Sequence, residues 1–155
     1  MLRETNAIQS VQISTIAHAT DDLDRVQAAL RLILPDSLRG REIFTRRYME
    51  GHHGNPIVRF EANLTRTQEV GEFANYLMER LAKNEKLLIE RELDAHTDED
   101  SNLFIRLDKQ QAFRGLVELG EEDPIRLRLK FSRLSGEARE LMKRFLESEA
   151  SAQVH

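Results

Sequence analysis

At 155 residues and a formal net charge of −4, the chain has the length of one domain, and a chain of this size buries roughly 70% of its unfolded surface without a covalent staple. The absence of cysteine excludes disulfides, thiolate catalysis and sulfur-ligated zinc, and it suits a reducing cytoplasm. No apolar run approaches the roughly 18 residues of a membrane span, and residues 1–10 lack the basic and apolar regions of a secretion signal, so a soluble, cytoplasmic protein without membrane contact is expected.

Residues 1–10 and 148–155 are read as flexible ends, which leaves a single domain over 11–147. Val11, Ile13, Thr15 and Ala17 alternate with Gln12, Ser14 and His18, the period of a half-buried strand over 11–19. Thr20 is placed to cap a following helix whose first turn carries Asp21, Asp22 and Asp24 and whose apolar stripe is Leu23, Val26, Leu30, Ile33 and Leu34; Pro35 ends it. A strand over 42–50, with Ile43, Phe44, Tyr48 and Met49, precedes the turn Gly51-His52-His53-Gly54-Asn55-Pro56. After the turn, Val58, Phe60, Ala62 and Leu64 alternate with Arg59, Glu61 and Asn63, so 57–64 is a strand, and the two runs form an antiparallel pair of open turn type.

Thr65-Arg66-Thr67-Gln68 has the spacing of a capping box, and Val70, Phe73, Ala74, Leu77 and Leu81 recur at helical intervals behind it. Gly71 within that helix either permits close approach to the sheet or is simply tolerated. Lys83-Asn84 interrupts the pattern, and 85–93 resumes it as a helix, with a buried strand as the alternative. Residues 94–101 form an acidic loop. Leu103, Ile105 and Leu107 mark a strand, Asp108 caps a short helix closed by Gly115, and 116–119 is a short strand. Ile125, Leu127, Leu129 and Phe131 alternate with Arg126, Arg128 and Lys130, and Ser135 caps a last helix bearing Ala138, Leu141, Met142 and Phe145. Hairpin-like neighbours mixed irregularly with helices indicate an α+β domain, with helices packed on one face of a largely antiparallel sheet.

Four stretches carry a resemblance. The turn Gly51-His52-His53-Gly54-Asn55-Pro56, the run Ile16-Ala17-His18-Ala19-Thr20-Asp21-Asp22, the helix end Leu34-Pro35 and the segment Arg106-Leu107-Asp108-Lys109-Gln110 resemble an archaeal family of predicted RNA-binding, exosome-associated proteins, over most of residues 11–131. His53 stands where that family often has tyrosine. The resemblance implies a fold similar to that of the ribosomal protein that binds 5S RNA, and as partners RNA and exosome subunits.

The residues themselves offer four kinds of site. His52 and His53, with His18 or His96, would make a small metal-assisted hydrolase, but a metal needs three or four converging ligands and adjacent histidines in a turn point apart. The acidic residues from Asp94 onward miss both the glycine and the final glutamate of a calcium loop. No phosphate-binding glycine loop, nucleophile elbow or His-Glu-x-x-His helix is present, so neither an enzyme nor a cofactor is expected. The basic set remains: Arg126, Arg128 and Lys130 share one strand face, Arg59 and Arg106 extend it if the strand order allows, and Arg46, Arg47 and Lys109 complete the set expected to contact RNA phosphates. Tyr48 and Phe104 fall on the polar-side phase of their strands and offer thin support for base stacking, with a core position the alternative for either. On the residues alone the same pattern equally fits a solvated strand face balanced by glutamates, and the functional alternative is a protein-interaction module, a homodimer included, with the sheet edge or the C-terminal helix as interface and the basic face meeting an acidic partner.

Overall fold

The computed structural model describes residues 3–132 and 138–148. Its frame is an antiparallel sheet of five strands in the order β2-β3-β1-β5-β4, where β1 is Ile8–His18, β2 Thr45–Glu50, β3 Pro56–Leu64, β4 Asn102–Leu107 and β5 Ile125–Phe131. β1 lies in the middle because both its edges find apolar-alternating partners: Val11 stands opposite Leu64 and Leu129, and Ile13 opposite Ala62 and Leu127. The strand begins at Ile8, three residues earlier than its alternation suggests, and a 3-10 helix, Arg3–Ala7, leads into it. A register shift between Ile8 and Ser10 leaves Gln9 exposed and hides the continuity of the apolar phase in the sequence.

Among the described residues the α-helices are α1 Leu23–Leu32, α2 Asp36–Arg39, α3 Thr67–Arg80, α4 Lys83–Arg91, α5 Lys109–Ala112 and α6 Ala138–Glu147. α3 crosses β1, α6 packs on β5 and α4, and α1 meets α5. Phe131 of β5 meets Phe145 of α6 edge to face, with ring centroids 6.0 Å apart. Val58, Phe60, Leu30, Phe73, Leu127 and Leu129 have no exposed surface or almost none, and they join one continuous core under the sheet.

Local chemistry explains several ends, and some differ from expectation. The cap of α1 is Asp22, whose side chain accepts from the Arg25 N–H at 3.2 Å. Thr20 lies in the preceding turn, which Asp21 closes by accepting from the His18 N–H at 3.0 Å. Helix α3 starts at Thr67 after Arg66, with no side-chain cap, so Thr65 to Gln68 form no capping box. Helices α3 and α4 part at Leu81 and Ala82, and Lys83 already belongs to α4. In α4 only Ile89 is buried, while Leu87 and Leu88 are 40% and 45% exposed. Asp108 caps α5, accepting from the Gln111 N–H at 3.0 Å, and Gly115 takes a φ of 76° where the chain turns away. Residues 116–119 make a single bridge, Leu107 to Leu119, in place of the expected short strand. Asp98 organises the acidic loop: burial pushes its carboxyl up, yet hydrogen bonds from the Asn102 side chain and from the Asn102 and Asp100 N–H groups leave it below the usual carboxylate value. Ser135 and residues 149–155 lie outside the described residues.

Phe73 sits at the centre of this packing with 0% exposure. Phe73→Ala should therefore cost about 3–5 kcal/mol in urea unfolding; a loss under about 1 kcal/mol would contradict the buried phase of α3.

Candidate nucleic-acid interface

Strand alternation sends the polar residues of the sheet to the side opposite the helices. The register sets them in rows. Arg47, Arg59 and Ile16 form one; Thr45, Glu61, Ser14, Arg126 and Arg106 the next; Asn63, Gln12, Arg128 and Phe104 a third; Ser10, Lys130 and Asn102 the last. Six cations thus share the face, Arg47, Arg59, Arg106, Arg126, Arg128 and Lys130, against one strand carboxylate, Glu61. Four strand spacings of about 4.8 Å separate Arg47 on β2 from Arg106 on β4, a width of about 19 Å with room for several phosphates of one strand.

Like charges stand directly opposite one another twice, Arg47 against Arg59 and Arg126 against Arg106, an arrangement that destabilises a sheet unless something anionic intervenes. Glu61 offsets part of it. Its carboxylate accepts from Asn63 Nδ2 and Arg59 Nε, each at 3.0 Å, and these bonds hold it below the ordinary carboxylate pKa. Arg106 reaches Glu121 at 3.6 Å, and Lys130 Nζ lies 3.5 Å from the Asp100 carbonyl oxygen. Among the described residues no carboxylate forms an ion pair with Arg47, Arg126 or Arg128. Between them, Gln12, Ser14, Arg59, Phe104, Arg126 and Arg128 line a shallow depression of about 140 Å³.

Two cations expected in the set lie elsewhere. Arg46 is opposite Phe60, hence on the helical side of β2; its guanidinium lies 5.3 Å from that ring centroid and donates to Asp24 at 2.8 Å and to Gln27 at 2.9 and 3.1 Å. The Asp24 bond is the main reason its pKa is raised. Lys109 is 5% exposed, and its Nζ donates to the Ile16 carbonyl at 2.7 Å and to Asp123 at 2.8 Å. The last β1 pair with β5 is Ser14 with Arg126, so Lys109 fastens the strand just beyond that pairing. Tyr48, opposite Val58, is likewise on the helical side, although 66% exposed; Phe104 is on the cationic face.

The central turn is a 3-10 segment, His52–Gly54, in which His53 and Gly54 take φ of 63° and 75°. A Cβ on Gly51 would approach Ile57 Cγ2 to 2.9 Å, so the turn folds tightly onto the start of β3. The His52 and His53 rings are exposed and stand edge to face, centroids 4.6 Å apart. No group of three or more metal-ligating side chains converges among the described residues. His18 engages the turn after β1 through its backbone, and His96 Nδ1 donates to the Phe104 carbonyl at 3.0 Å. Three of the four shared stretches meet at this end of the sheet: His18 pairs with Ile57, the Ala19 N–H donates to the Pro56 carbonyl at 3.2 Å, and Lys109 binds Ile16.

Residues 10–131 match a protein family described as RNA binding. The chain belongs to this family. An RNA-binding protein of Pyrococcus abyssi, PAB1135, is 31% identical over 123 residues, which make up 78% of this chain and 80% of that protein. An uncharacterized protein of Methanocaldococcus jannaschii, MJ0213, is 27% identical over 120 residues, 76% of this chain and 80% of the relative. Among solved structures, protein AF2318 from Archaeoglobus fulgidus superposes with a TM-score of 0.75 at 30% identity, covering 88% of this chain and 95% of that one. The DUF54 protein of Methanothermobacter thermautotrophicus gives 0.70 at 30% identity, covering 90% and 98%. Family membership and the α+β architecture thus agree, and no helix among the described residues is long and apolar enough to cross a membrane.

Sequence reasoning missed the Glu61–Asn63 clamp on Arg59 and the placement of Gln12, whose Nε2 donates to Asn63 Oδ1 at 3.2 Å; the i, i+2 spacing of Arg59, Glu61 and Asn63 on one strand was the available signal. Glu61 is depressed in the folded state, so its contribution to stability is present above the usual 4.5 and disappears as pH falls through the lower folded value. Glu61→Gln should destabilise at neutral pH and make no difference in strong acid, as read by thermal melts across pH. Lys109→Met should cost about 1–3 kcal/mol in urea unfolding, because the Ile16 carbonyl and Asp123 lose their donor.

Proposed function

We propose that the chain is an RNA-binding accessory protein that holds RNA by its phosphates on the helix-free face of the sheet and works beside the exosome. The observation that carries the reading is the excess of cations on that face of a protein with net charge −4: six against one strand carboxylate, with no carboxylate in an ion pair with Arg47, Arg126 or Arg128 among the described residues. Local charge of this kind is the footprint of a polyanion ligand. The repelling pairs Arg47 with Arg59 and Arg126 with Arg106 support it, since a phosphate between two guanidinium groups removes the repulsion and takes charge-assisted hydrogen bonds from both. The family and the RNA-binding relative from Pyrococcus abyssi support RNA as the polyanion. Phosphate contacts position a strand without reading its bases, so binding is expected to be weakly sequence-dependent.

The exosome link rests on the resemblance of the shared stretches, and a pulldown of purified exosome subunits with this chain tests it. The phosphate role is tested by salt. Each phosphate neutralised contributes about −0.7 to the slope of log affinity against log salt for a single strand, so changing Arg47, Arg126 and Arg128 together to glutamine should flatten the slope by about two units. Melting temperature should move little, because all three side chains leave the core untouched. An unchanged slope and affinity would remove this face from the RNA site.

A further inference from the structure

One phenylalanine stands among the cations of this face. Phe104 lies in the row Asn63, Gln12, Arg128, Phe104, beside the repelling pair Arg126 and Arg106, and among the described strand residues it is the one phenylalanine or tyrosine that the register places on this side of the sheet. It is 36% exposed, whereas Phe60 and Phe131 on the opposite side are at 0%. Elsewhere in the molecule arginines cover aromatic rings: Arg25 over Phe113, Arg46 over Phe60 and Arg80 over Tyr76, at 4.8 to 5.4 Å. Among the described residues no guanidinium lies over Phe104 in this way, although Arg128 is its direct neighbour across β4 and β5. Phe104 is therefore a partly exposed ring flanked by cations, lining a depression that Gln12 and Ser14 supply with an amide and a hydroxyl.

We infer that Phe104 is a stacking platform for one unpaired nucleobase, with Arg126 and Arg128 on the flanking phosphates, so that the ligand of this face is single-stranded RNA and not a duplex. The inference rests on the phosphate-binding reading and deepens it. A base in a duplex is already stacked on both sides and cannot lie on a ring embedded in a sheet; an unpaired base can, and every base has a π face, which keeps the contact tolerant of sequence. Gln12, hydrogen-bonded to Asn63, is positioned one strand beyond Arg128 to meet the base edge or ribose. His96 holds the Phe104 carbonyl at the outer edge of β4, which limits movement of the platform.

The test uses the full chain with fluorescein-labelled decauridylate and, separately, a fully paired RNA duplex of equal length. The parent should bind decauridylate more tightly than the duplex. Phe104→Leu, which keeps an apolar side chain in the paired strand, should weaken decauridylate binding by roughly 5- to 150-fold while leaving the salt slope unchanged. The chain contains no tryptophan, so Phe104→Trp introduces a single indole whose emission should be quenched on adding decauridylate, with affinity retained or raised. Unchanged affinity in Phe104→Leu, or an indole emission indifferent to decauridylate, would overturn the platform even where the Arg47, Arg126, Arg128 variant shows that the face binds phosphates. Equal binding of duplex and single strand by the parent would overturn the single-strand assignment. A parent that binds neither RNA at low salt would overturn the phosphate reading and the platform with it.

Discussion

β1 is hydrogen-bonded along both edges, to β3 from Val11 to His18 and to β5 from Ile8 to Ser14, and this double pairing phases the side chains of the whole sheet. With side chains alternating at a period of two, a slip of one residue at either edge would send Phe60 or Leu127 into water and Arg59 or Arg126 into the core. Burial of those apolar residues therefore fixes the register, and the register in turn gathers the cations. The same strand is fastened at its far end by the Lys109 ammonium on the Ile16 carbonyl and by Thr15 Oγ1, which donates to the Pro124 carbonyl at 3.0 Å. Core packing and cationic face are two readings of one constraint.

The electrostatics of the face follow from its being open. A cross-strand pair of guanidinium groups repels most where solvent is excluded, and here the groups lie at the surface, where water and salt screen them. The cost is tolerable in the free protein, and Glu61 lowers it further at Arg59. Acid elsewhere keeps the whole molecule at −4, so attraction for a polyanion is confined to one side and nonspecific adhesion by the rest of the surface is opposed.

How much of this the sequence discloses depends on whether the information is local. The alternations of β1, β3 and β5, the helical repeat of α3 and the Asp108 cap of α5 are each contained in a short window, and each corresponds to an element of the fold. Residues 42–50 lack clean alternation, so the phase of β2 was not legible: Arg46 and Arg47 are neighbours in the chain, but the pairing with β3 puts Arg46 against Gln27 and Asp24 and leaves Arg47 on the open side. Lys109 was opaque for a different reason. Nothing in its neighbours shows that it is covered by contacts to Ile16 and Asp123, 93 and 14 residues away. That Arg59 and Arg126 share a face required the strand order, a long-range fact that no window contains.

Of the six cations on the face only Arg106 belongs to a shared stretch, and this partial separation bears on what a family resemblance measures. Ile16 to Asp22, the turn at Gly51 to Pro56 and the segment at Lys109 meet where β1 ends, and their contacts there are mostly backbone hydrogen bonds, a tight glycine approach and one buried ammonium. Such features tolerate few substitutions because each replaces a specific donor or fills a specific space. A phosphate-binding face is less demanding, since a cation serves from any of several positions along the strands. The motifs thus report the scaffold that holds β1 in register, while Arg59, Phe104, Arg126 and Arg128 lie in the alternating strands between them, and that they share one face appears only once the register is known.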